Sequence, residues 1–518
     1  MSIQLRPYQE EGVAAIIDRL QNGGSTLAVL ATGLGKTVIA ATVIERMREW
    51  SPRKRALALA HREELIYQAA KAINGITGEM PEIEMAGQHA DLHMWRRAKV
   101  VIASKDTLRS PKRMAKFKPD EFGLVWVDEA HRAVAPSYQS IFKHFAGVPL
   151  LGVTATPDRT DEEALGKVFG SVAMVYELPD AIRDGWLCPV KQCPAEVHAI
   201  DYSKVSTSMG DLNGRELAEM MSNEEVLQGI ADVTIRESRG RKTLVFAPPG
   251  FKTDGDDSFR SSERLTEIFD RHSSGCARLI MGTTPPDERA NTLRDYRNGA
   301  FPILVNVGVL TEGFDDPSIE VIAMGRATTS RSLYSQMVGR STRPLPGIVD
   351  GIDSAADRCK AIADSAKPYC EVIDFGGNAG KHKLVHVADI LGGNYTEAEV
   401  ELAEKKVRAA GGAVDVQVSL EDARDEIRRR ADFDRMKRAA IKGKAQYSLT
   451  QVDPFESLNI YRPVTRGWDK AEPASEKQAK LLTRYKLYRP GLTKREATTL
   501  IGKLANNGWR KPAGLVSA

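Results

Sequence analysis

The sequence predicts an α/β protein with two tandem domains, each built on a parallel sheet, followed by a mainly helical and basic C-terminal region. Short apolar runs end at glycine-rich or acidic turns and are followed by helical patterns, which is typical of α/β units. This order occurs in residues 1–185 and again in residues 186–390. Residues 391–518 are mainly helical in pattern. Because 518 residues are too many for one core, two or three domains are expected.

The first predicted strand, at residues 27–31, enters a turn that contains two glycines. Glycine lets backbone N–H groups point inward onto phosphate oxygens, although Leu30 stands where the general phosphate-loop pattern has its first glycine. Lys36 can reach the β- and γ-phosphates of a nucleotide, and the Thr37 hydroxyl can ligate Mg²⁺. The helix predicted at 38–50 directs its N-terminal dipole at the anion. The loop residues expected to hold the nucleotide are Thr32, Gly33, Gly35, Lys36 and Thr37.

A second short strand, predicted at residues 124–127, ends at Asp128 and Glu129. In a parallel sheet, ligands bind beyond the carboxyl ends of the strands. Asp128 is therefore placed to hold Mg²⁺, mostly through water. Glu129 is the candidate base that orients the attacking water. Together with the upstream loop, this pair predicts hydrolysis of a nucleoside triphosphate.

Further segments follow in a consistent order over about residues 3–390, and they resemble the superfamily 2 helicases and translocases, of the DEAH-box type broadly understood. The resemblance implies two RecA-like motor domains that bind ATP and Mg²⁺ in the cleft between them. It also implies that Gln9, with Arg6 nearby, reads the adenine. The residues that it assigns to the coupling of hydrolysis to domain motion are His131, Thr154 and Thr156.

The same resemblance implies a nucleic-acid track across both domains. Residues 58–65 and 101–107 look like two segments that contact nucleic acid, and the side chains involved would be His61, Arg62, Ser104 and Thr107. Residues 311–315 resemble the family's fifth motif, which touches both nucleic acid and nucleotide. Thr311 is therefore expected on the nucleic acid, and Gly313 and Asp315 on the nucleotide.

Residues 336–343 resemble the sixth motif of the family, Q-x-x-G-R-x-x-R. Gln336, Arg340 and Arg343 fall at i, i+4 and i+7, so a helix would present them on one face. Two permanently charged guanidinium groups suit a phosphate chain. An arginine finger is worth roughly 10³–10⁵ in turnover, and here it would arrive only when the cleft closes. All three residues are therefore expected to act in catalysis.

A closer resemblance, carried by residues 368–378 and 381–385, is to the RadD-like bacterial and phage repair helicases. It favours DNA over RNA as the substrate, in single-stranded, forked or branched form, and a role in repair, recombination or replication. RNA remains an alternative substrate. A recombinase or a single-strand-binding protein is a candidate partner.

Composition favours a soluble globular protein, with 42% hydrophobic and 27% charged residues. The apolar runs are far too short to span a membrane, and the N-terminus has no apolar signal core. A cytoplasmic location is therefore expected, associated with the nucleoid in a bacterial or phage-infected cell. The five cysteines show no C-x-x-C spacing, so we expect no zinc module and reduced thiols.

Charge is distributed unevenly along the chain, whose net charge is only +4. Residues 435–518 contain 18 lysines and arginines against 6 acidic residues, a net charge of +12, which leaves −8 on the rest. Within this region, residues 474–509 predict two short helices with capping patterns at Ser475 and Thr493. Such a basic helix pair suits DNA binding or, alternatively, docking of a partner. The side chains expected on DNA are Arg484, Lys494 and Arg495.

The sequence as a whole predicts an ATP-dependent helicase or translocase that acts on DNA. One alternative is a translocase on double-stranded DNA that remodels branched junctions without processive unwinding. A second is an adaptor for a recombinase or single-strand-binding protein, with the ATPase as a switch. A restriction-type translocase subunit is less favoured, because no nuclease constellation is evident.

Overall fold

In a computed structural model of the chain, the residues that can be described are 4–22, 24–90, 98–155, 159–208, 211–247, 261–310, 313–378, 384–392, 395–410, 412–440, 472–506 and 508–509. Two seven-stranded sheets and one two-stranded sheet lie within these ranges. The predicted α/β class with two parallel-sheet domains is confirmed. The boundaries expected at residues 185 and 390 remain predictions.

The first sheet has the strand order β3-β4-β2-β5-β6-β1-β7, and every pairing in it is parallel. Its strands are β1 (Ser25–Leu30), β2 (Arg55–Ala60), β3 (Glu82–Glu84), β4 (Val100–Ser104), β5 (Phe122–Asp128), β6 (Leu150–Thr154) and β7 (Ser171–Tyr176). Its helices are α1 (Pro7–Gln21), α2 (Lys36–Trp50), α3 (Glu63–Thr77), α4 (Lys105–Leu108), α5 (Pro111–Met114), α6 (Pro136–His144), α7 (Arg159–Val168) and α8 (Leu178–Arg183). Short 3₁₀ turns occupy Pro119–Glu121 and Ala130–Val134.

The second sheet has the order β12-β13-β11-β14-β15-β8-β16, with only the β8–β16 pairing antiparallel. The strands of this half are β8 (Val190–Asp201), the separate hairpin β9 (Thr207–Ser208) and β10 (Asp211–Leu212), β11 (Thr243–Phe246), β12 (Ala277–Ile280), β13 (Ile303–Asn306), β14 (Val321–Met324), β15 (Cys370–Asn378) and β16 (Val414–Asp415). The helices are α9 (Gly214–Met221), α10 (Glu224–Ser238), α11 (Ser261–His272), α12 (Pro286–Arg297), α13 (Arg331–Val338) and α14 (Ala355–Ala363), with a 3₁₀ turn at Tyr202–Lys204.

The central strands are buried on both faces, because helices cover both sides of each sheet. All seven residues of β5 are buried, which explains its continuous apolar sequence. Helices show the complementary pattern: α3 buries Leu65, Ile66, Ala69 and Ile73, at the spacing of a single helix face. This packing fixes the strand ends from which the candidate site is built.

The C-terminal part begins with α15 (Val387–Leu391), α16 (Glu397–Ala409) and α17 (Val416–Ala440), which pack together against the second sheet. Two further helices, α18 (Glu476–Arg484) and α19 (Lys494–Asn506), have a small core of their own, formed by Leu482, Leu487, Leu492, Ala497, Leu500 and Leu504. Both predicted capping boxes are confirmed, at Ser475 and at Thr493. No helix in the described ranges has the length and apolar character needed to cross a bilayer.

Candidate active site

The turn after β1 has the geometry of a phosphate-binding loop. Gly33 and Gly35 have φ values of +95° and +79°, which favour glycine. A Cβ at Gly35 would also lie 2.5 Å from Gln9 Nε2. Helix α2 begins at Lys36, so its N-terminus faces the loop. The buried Thr32 Oγ1 makes no hydrogen bond within the described residues.

Helix α1 contacts this loop through two side-chain hydrogen bonds. The Tyr8 hydroxyl and Gln9 Nε2 both donate to the Leu34 carbonyl, at 2.9 and 3.0 Å. Arg6 has a different position, since its guanidinium stacks over Trp186 at 4.9 Å and pairs with Asp350 at 3.2 Å. Gln9 therefore lies at the nucleotide loop, whereas Arg6 bridges the loop's domain and the second half of the chain.

Glu129 lies at the centre of the site, in a left-handed conformation with φ +48° directly after β5. Its carboxylate is 3.9 Å from Lys36 Nζ and 3.4 Å from His131 Nδ1, and it accepts a hydrogen bond from Gln336 Nε2 at 3.5 Å. Burial opposes ionisation, but Lys36, His131 and Arg340 outweigh it and hold the Glu129 pKa well below its usual range. The ionised form of Glu129 is thus favoured, and its carboxylate contacts both halves of the chain.

Asp128 provides the oxygen donor expected of a magnesium site. It is 8% exposed, and its Oδ1 accepts the backbone N–H of Glu129 at 3.0 Å. Thr37 stands in the first turn of α2, across the same strand ends. Carboxylate and hydroxyl oxygens are ligands that Mg²⁺ prefers, so these residues fit the metal that a nucleotide would bring.

Two of the predicted coupling residues, His131 and Thr154, meet beside the Glu129 carboxylate. His131 Nδ1 lies 3.2 Å from Thr154 Oγ1, at the end of β6, and also contacts Glu129. A movement of Glu129 would therefore reach β6 through one imidazole. Thr156, the third predicted coupling residue, lies outside the described residues.

The sixth-motif residues come together at the cleft, but not on one helix. Helix α13 ends at Val338, so Arg340 and Arg343 lie in the turns beyond it, and the predicted continuous helix face is wrong. A Cβ at Gly339 would lie 2.6 Å from the Thr32 Cβ, so the first residue beyond the helix packs directly against the phosphate loop. Arg340 Nη1 donates to the Phe314 carbonyl at 2.6 Å.

Arg343 links the fifth and sixth motifs to the phosphate loop. Its guanidinium forms an ion pair with Asp315, and its Cγ would lie 3.1 Å from a Cβ at Gly33. Gly313, with φ +77°, accepts a hydrogen bond at its carbonyl from the Gln68 side chain of α3. The cleft is therefore closed around the loop, with both predicted arginines at its edge.

The predicted nucleic-acid residues of the first domain lie at or just beyond the carboxyl ends of two neighbouring strands of the first sheet, which form one edge of that sheet. Ala60 pairs with Ser104 at the carboxyl ends of β2 and β4, so His61 and Arg62 emerge beside Ser104. Thr107 Oγ1 accepts a hydrogen bond from the backbone N–H of Ala86, at 3.1 Å. These residues form a row along the sheet edge. Thr311, expected opposite them, lies outside the described residues.

Sequence patterns missed several residues at the junction of the two domains. Glu64 pairs with Arg289 at 2.9 Å across the cleft, on the side of the row just described. Asp350 and Trp186 hold Arg6, as noted above. Their partners lie more than 150 residues away in sequence and no local motif marks them, so only the structure could show these contacts.

The remaining predicted residues, Arg484, Lys494 and Arg495, lie on the separate helix pair α18–α19. All three are exposed, and Lys494 pairs with Glu472 at 3.0 Å. The helices that carry them pack against each other around their own small core.

Two family matches cover the two sheets. Residues 2–159 match the family described as "Type III restriction enzyme, res subunit", and residues 224–344 match the "Helicase conserved C-terminal domain". The chain belongs to superfamily 2 of the helicases. The closer similarity to RadD-like helicases remains a prediction.

Two fungal relatives are similar over most of this superfamily 2 chain. IRC3 of Saccharomyces cerevisiae, named as a candidate ATP-dependent helicase, is 30% identical over 404 residues, covering 75% of this chain and 53% of that protein. The irc3 protein of Schizosaccharomyces pombe, named as a candidate mitochondrial ATP-dependent helicase, is 32% identical over 371 residues, covering 68% and 58%. The chain thus spans little more than half the length of these curated relatives.

A solved structure shows the same fold at low identity. The ATP-dependent Type ISP restriction-modification enzyme LlaBIII, bound to DNA, superposes with a TM-score of 0.54 and 14% identity. The alignment covers 99% of this chain and 40% of that chain. At this identity the similarity supports the fold alone.

Proposed function

We propose that this chain is an ATP-hydrolysing motor that moves along nucleic acid, with DNA as its main track. The observation that carries the proposal is the environment of Glu129. Lys36 contacts its carboxylate from the same domain, and Gln336 contacts it from the second domain. A hydrolytic carboxylate held between two domains links each catalytic cycle to their relative movement.

Nucleotide binding is assigned to the loop after β1. Its backbone N–H groups and Lys36 bind the phosphates, while Thr37 and Asp128 hold Mg²⁺, which neutralises charge on the phosphate oxygens when bound. Gln9, which contacts the loop, is proposed to read the base, with Arg6 nearby in sequence. The hydrogen bonds from Tyr8 and Gln9 to Leu34 keep the loop in a ready conformation.

Hydrolysis is assigned to Glu129 and the sixth motif. The depressed pKa keeps Glu129 ionised, so that it can accept a hydrogen bond from the attacking water and orient it. Arg340 and Arg343 come from the second domain and stabilise the charge that develops on the transferred phosphoryl group. His131 and Thr154 then transmit the change at Glu129 to the end of β6.

The track is assigned to the row His61, Arg62, Ser104 and Thr107, continued in the second domain by the fifth motif. Contacts of this kind are made to phosphates, and they carry little sequence information. We therefore expect binding that tolerates sequence and weakens strongly with salt. DNA is proposed over RNA as the track because residues 368–378 and 381–385 resemble the RadD-like repair helicases.

The helix pair α18–α19 is proposed as a second DNA contact. Within residues 472–506 and 508–509, eight basic residues stand against three acidic ones, and seven of the eight are exposed. Lys477, Lys480 and Arg484 occupy one face of α18, at the i, i+3 and i+7 positions. Docking of a recombinase or single-strand-binding protein is the competing role for this surface.

Translocation on duplex DNA without unwinding is the second candidate function. The restriction-type description of the family that matches residues 2–159 favours it. Displacement of a triplex-forming strand, without separation of a forked duplex, would support this alternative. Separation of the fork would support a helicase instead.

The deciding experiment is ATP hydrolysis by the purified chain, alone and with single-stranded DNA, duplex DNA, a branched junction or RNA. The Lys36→Ala variant serves as the inactive control, because it removes the cation that holds the phosphates. Stimulation by DNA that disappears in the variant is the expected result. A rate that no nucleic acid changes would contradict the motor and favour an ATP-switched adaptor.

A further inference from the structure

A buried carboxylate in the second domain collects hydrogen bonds from three separate elements. Asp374, on β15, is 8% exposed. Its Oδ2 accepts hydrogen bonds from Gln192 Nε2 at 3.0 Å, from the Tyr334 hydroxyl at 3.1 Å and from His386 Nδ1 at 2.6 Å. Charge-assisted hydrogen bonds at a buried site are strong and directional, so this one oxygen fixes three side chains.

The histidine is itself held by an arginine of the accessory helices. Arg408 Nη2 lies 3.1 Å from His386 Nε2. A guanidinium can only donate, so in the neutral imidazole Nε2 is the acceptor and the proton resides on Nδ1. The hydrogen bonds therefore run in one direction, from Arg408 through His386 to Asp374. The His386 backbone N–H also donates to Asp389, which caps α15.

The other end of this network reaches the catalytic motif. Tyr334 is 2% exposed and stands on α13, two residues before Gln336. The same helix leads directly into Gly339 and Arg340, which meet the phosphate loop. Asp374 thus connects α13, the helix that leads into the sixth motif, with α15 and α16. Neither α15 nor α16 carries a predicted residue of the ATP site.

We propose that Asp374, Tyr334 and His386 are positioning residues for ATP hydrolysis. They fix the end of α13, and with it Gln336, Arg340 and Arg343, relative to the second sheet and the accessory helices. The inference rests on the proposed function. Because the loop after β1 binds the nucleotide, loss of this network should lower turnover while leaving nucleotide affinity nearly unchanged.

The test is Tyr334→Phe, which removes one hydroxyl and retains the ring. Its matched control is Tyr296→Phe: Tyr296 is fully buried in the same domain, and its hydroxyl makes no hydrogen bond within the described residues. We expect kcat of Tyr334→Phe to fall about tenfold, since small misplacements of catalytic groups have effects of this order or larger. The KM for ATP should change less than twofold, and the control should retain the wild-type kcat.

A second pair of variants tests the histidine. His386→Leu removes the donor to Asp374, whereas His386→Asn places an amide N–H near the position of Nδ1. We expect the asparagine variant to recover most of the turnover that the leucine variant loses, with both rates measured well below the thermal unfolding midpoint of each variant. Equal turnover in both variants, or a Tyr334→Phe rate equal to wild type, would overturn the inference.

These outcomes are separate from failure of the proposed function. If wild type hydrolyses ATP no faster than Lys36→Ala, the motor itself is contradicted. If wild type is active and Tyr334→Phe matches it, only the positioning role is lost.

Discussion

At Glu129, burial and charge act in opposite directions, and the charges prevail. A carboxylate removed from water would ordinarily bind a proton, yet Lys36 at 3.9 Å and His131 at 3.4 Å keep this one ionised. Gln336 reaches it from the second domain. A carboxylate that is ionised and contacted from both domains suits the proposed role of a base that orients the attacking water.

Replacement of Glu129 by glutamine should therefore separate binding from hydrolysis. We expect Glu129→Gln to lower kcat by about 10²–10⁴-fold, since it removes the base and little volume. Nucleotide and DNA binding should persist, because Lys36 and the loop remain. Filter retention of radiolabelled ATP beside a single-turnover assay would measure both properties, and normal turnover would remove Glu129 from its catalytic role.

The depressed pKa of Glu129 also predicts how the stability difference between wild type and Glu129→Gln depends on pH. The folded-state pKa of Glu129 lies below the unfolded value of about 4.3. The ionised carboxylate therefore contributes stability above the unfolded pKa, and this contribution is lost as pH falls toward the folded pKa. The unfolding free energy of wild type minus that of Glu129→Gln should stay constant from pH 7 to about pH 5 and decrease as the pH falls further, below about 4.3. A difference that stays constant down to about pH 3 would contradict the depressed pKa of Glu129.

At the scale of elements, the contact between the end of α13 and the phosphate loop decides the geometry of the cleft. Gly339 allows the close approach, since a methyl group added at this position would lie 2.6 Å from Thr32 Cβ. Gly339→Ala should therefore push the sixth motif away from the loop and lower kcat by about tenfold, equivalent to the strain of a modest overpacking. Gly214→Ala, which adds a methyl in open space in the same domain, is the control. Steady-state ATPase assays of both variants would decide, and equal rates would show that the cleft adjusts freely.

The contact between Gly339 and Thr32 also illustrates which parts of the site can be predicted from the sequence. The loop after β1 and the acidic pair after β5 are local patterns whose chemistry depends on neighbouring residues, so the sequence predicts both sites, and the roles assigned to them stay predictions. The face shared by Gln336, Arg340 and Arg343 was predicted from helical spacing and was wrong, because the helix ends where Gly339 meets Thr32. Thr32 is more than 300 positions away from Gly339 in the sequence, so the spacing of residues within 336–343 carries no information about this contact.

Networks that join distant elements were beyond prediction for the same reason. Asp374, Tyr334 and His386 belong to a strand, a helix and a helix cap that have no shared motif. Each residue taken alone is typical of an ordinary core or cap position. Only their common oxygen atom, visible in the fold, assigns them to the support of the sixth motif.

At the scale of the whole molecule, charge is concentrated at one end of the chain while the motor domains carry net negative charge. Residues 435–518 have a net charge of +12 against −8 for the remainder. A negatively charged motor gains little from long-range attraction to DNA, so a basic region outside it can dominate the salt-dependent part of binding. This division predicts that affinity and turnover can be changed separately.

The variant that tests this division replaces Lys477, Lys480 and Arg484 on α18 with glutamine. If the three side chains contact duplex phosphates, the slope of log K against log salt should fall by about 2.7, at about 0.9 per contact. At saturating DNA, kcat should stay at the wild-type value, because the ATP site and the sheet-edge row are unchanged. DNA titrations by fluorescence anisotropy at several salt concentrations, combined with ATPase assays, measure the two quantities.

Loss of net charge alone would weaken binding as well, so the control removes the same charge elsewhere. The control residues, all exposed, are Lys118, Arg236 and Arg239. Lys118 precedes the amino end of β5, and Arg236 and Arg239 precede the amino end of β11, whereas His61 and Ser104 lie at the carboxyl ends of strands. Their glutamine variant should keep nearly the wild-type slope. Equal slopes for the two triple variants would show a general electrostatic effect, and the helix pair would then be free for a protein partner. A reduced slope in the α18 variant alone would place DNA on that face, outside the motor.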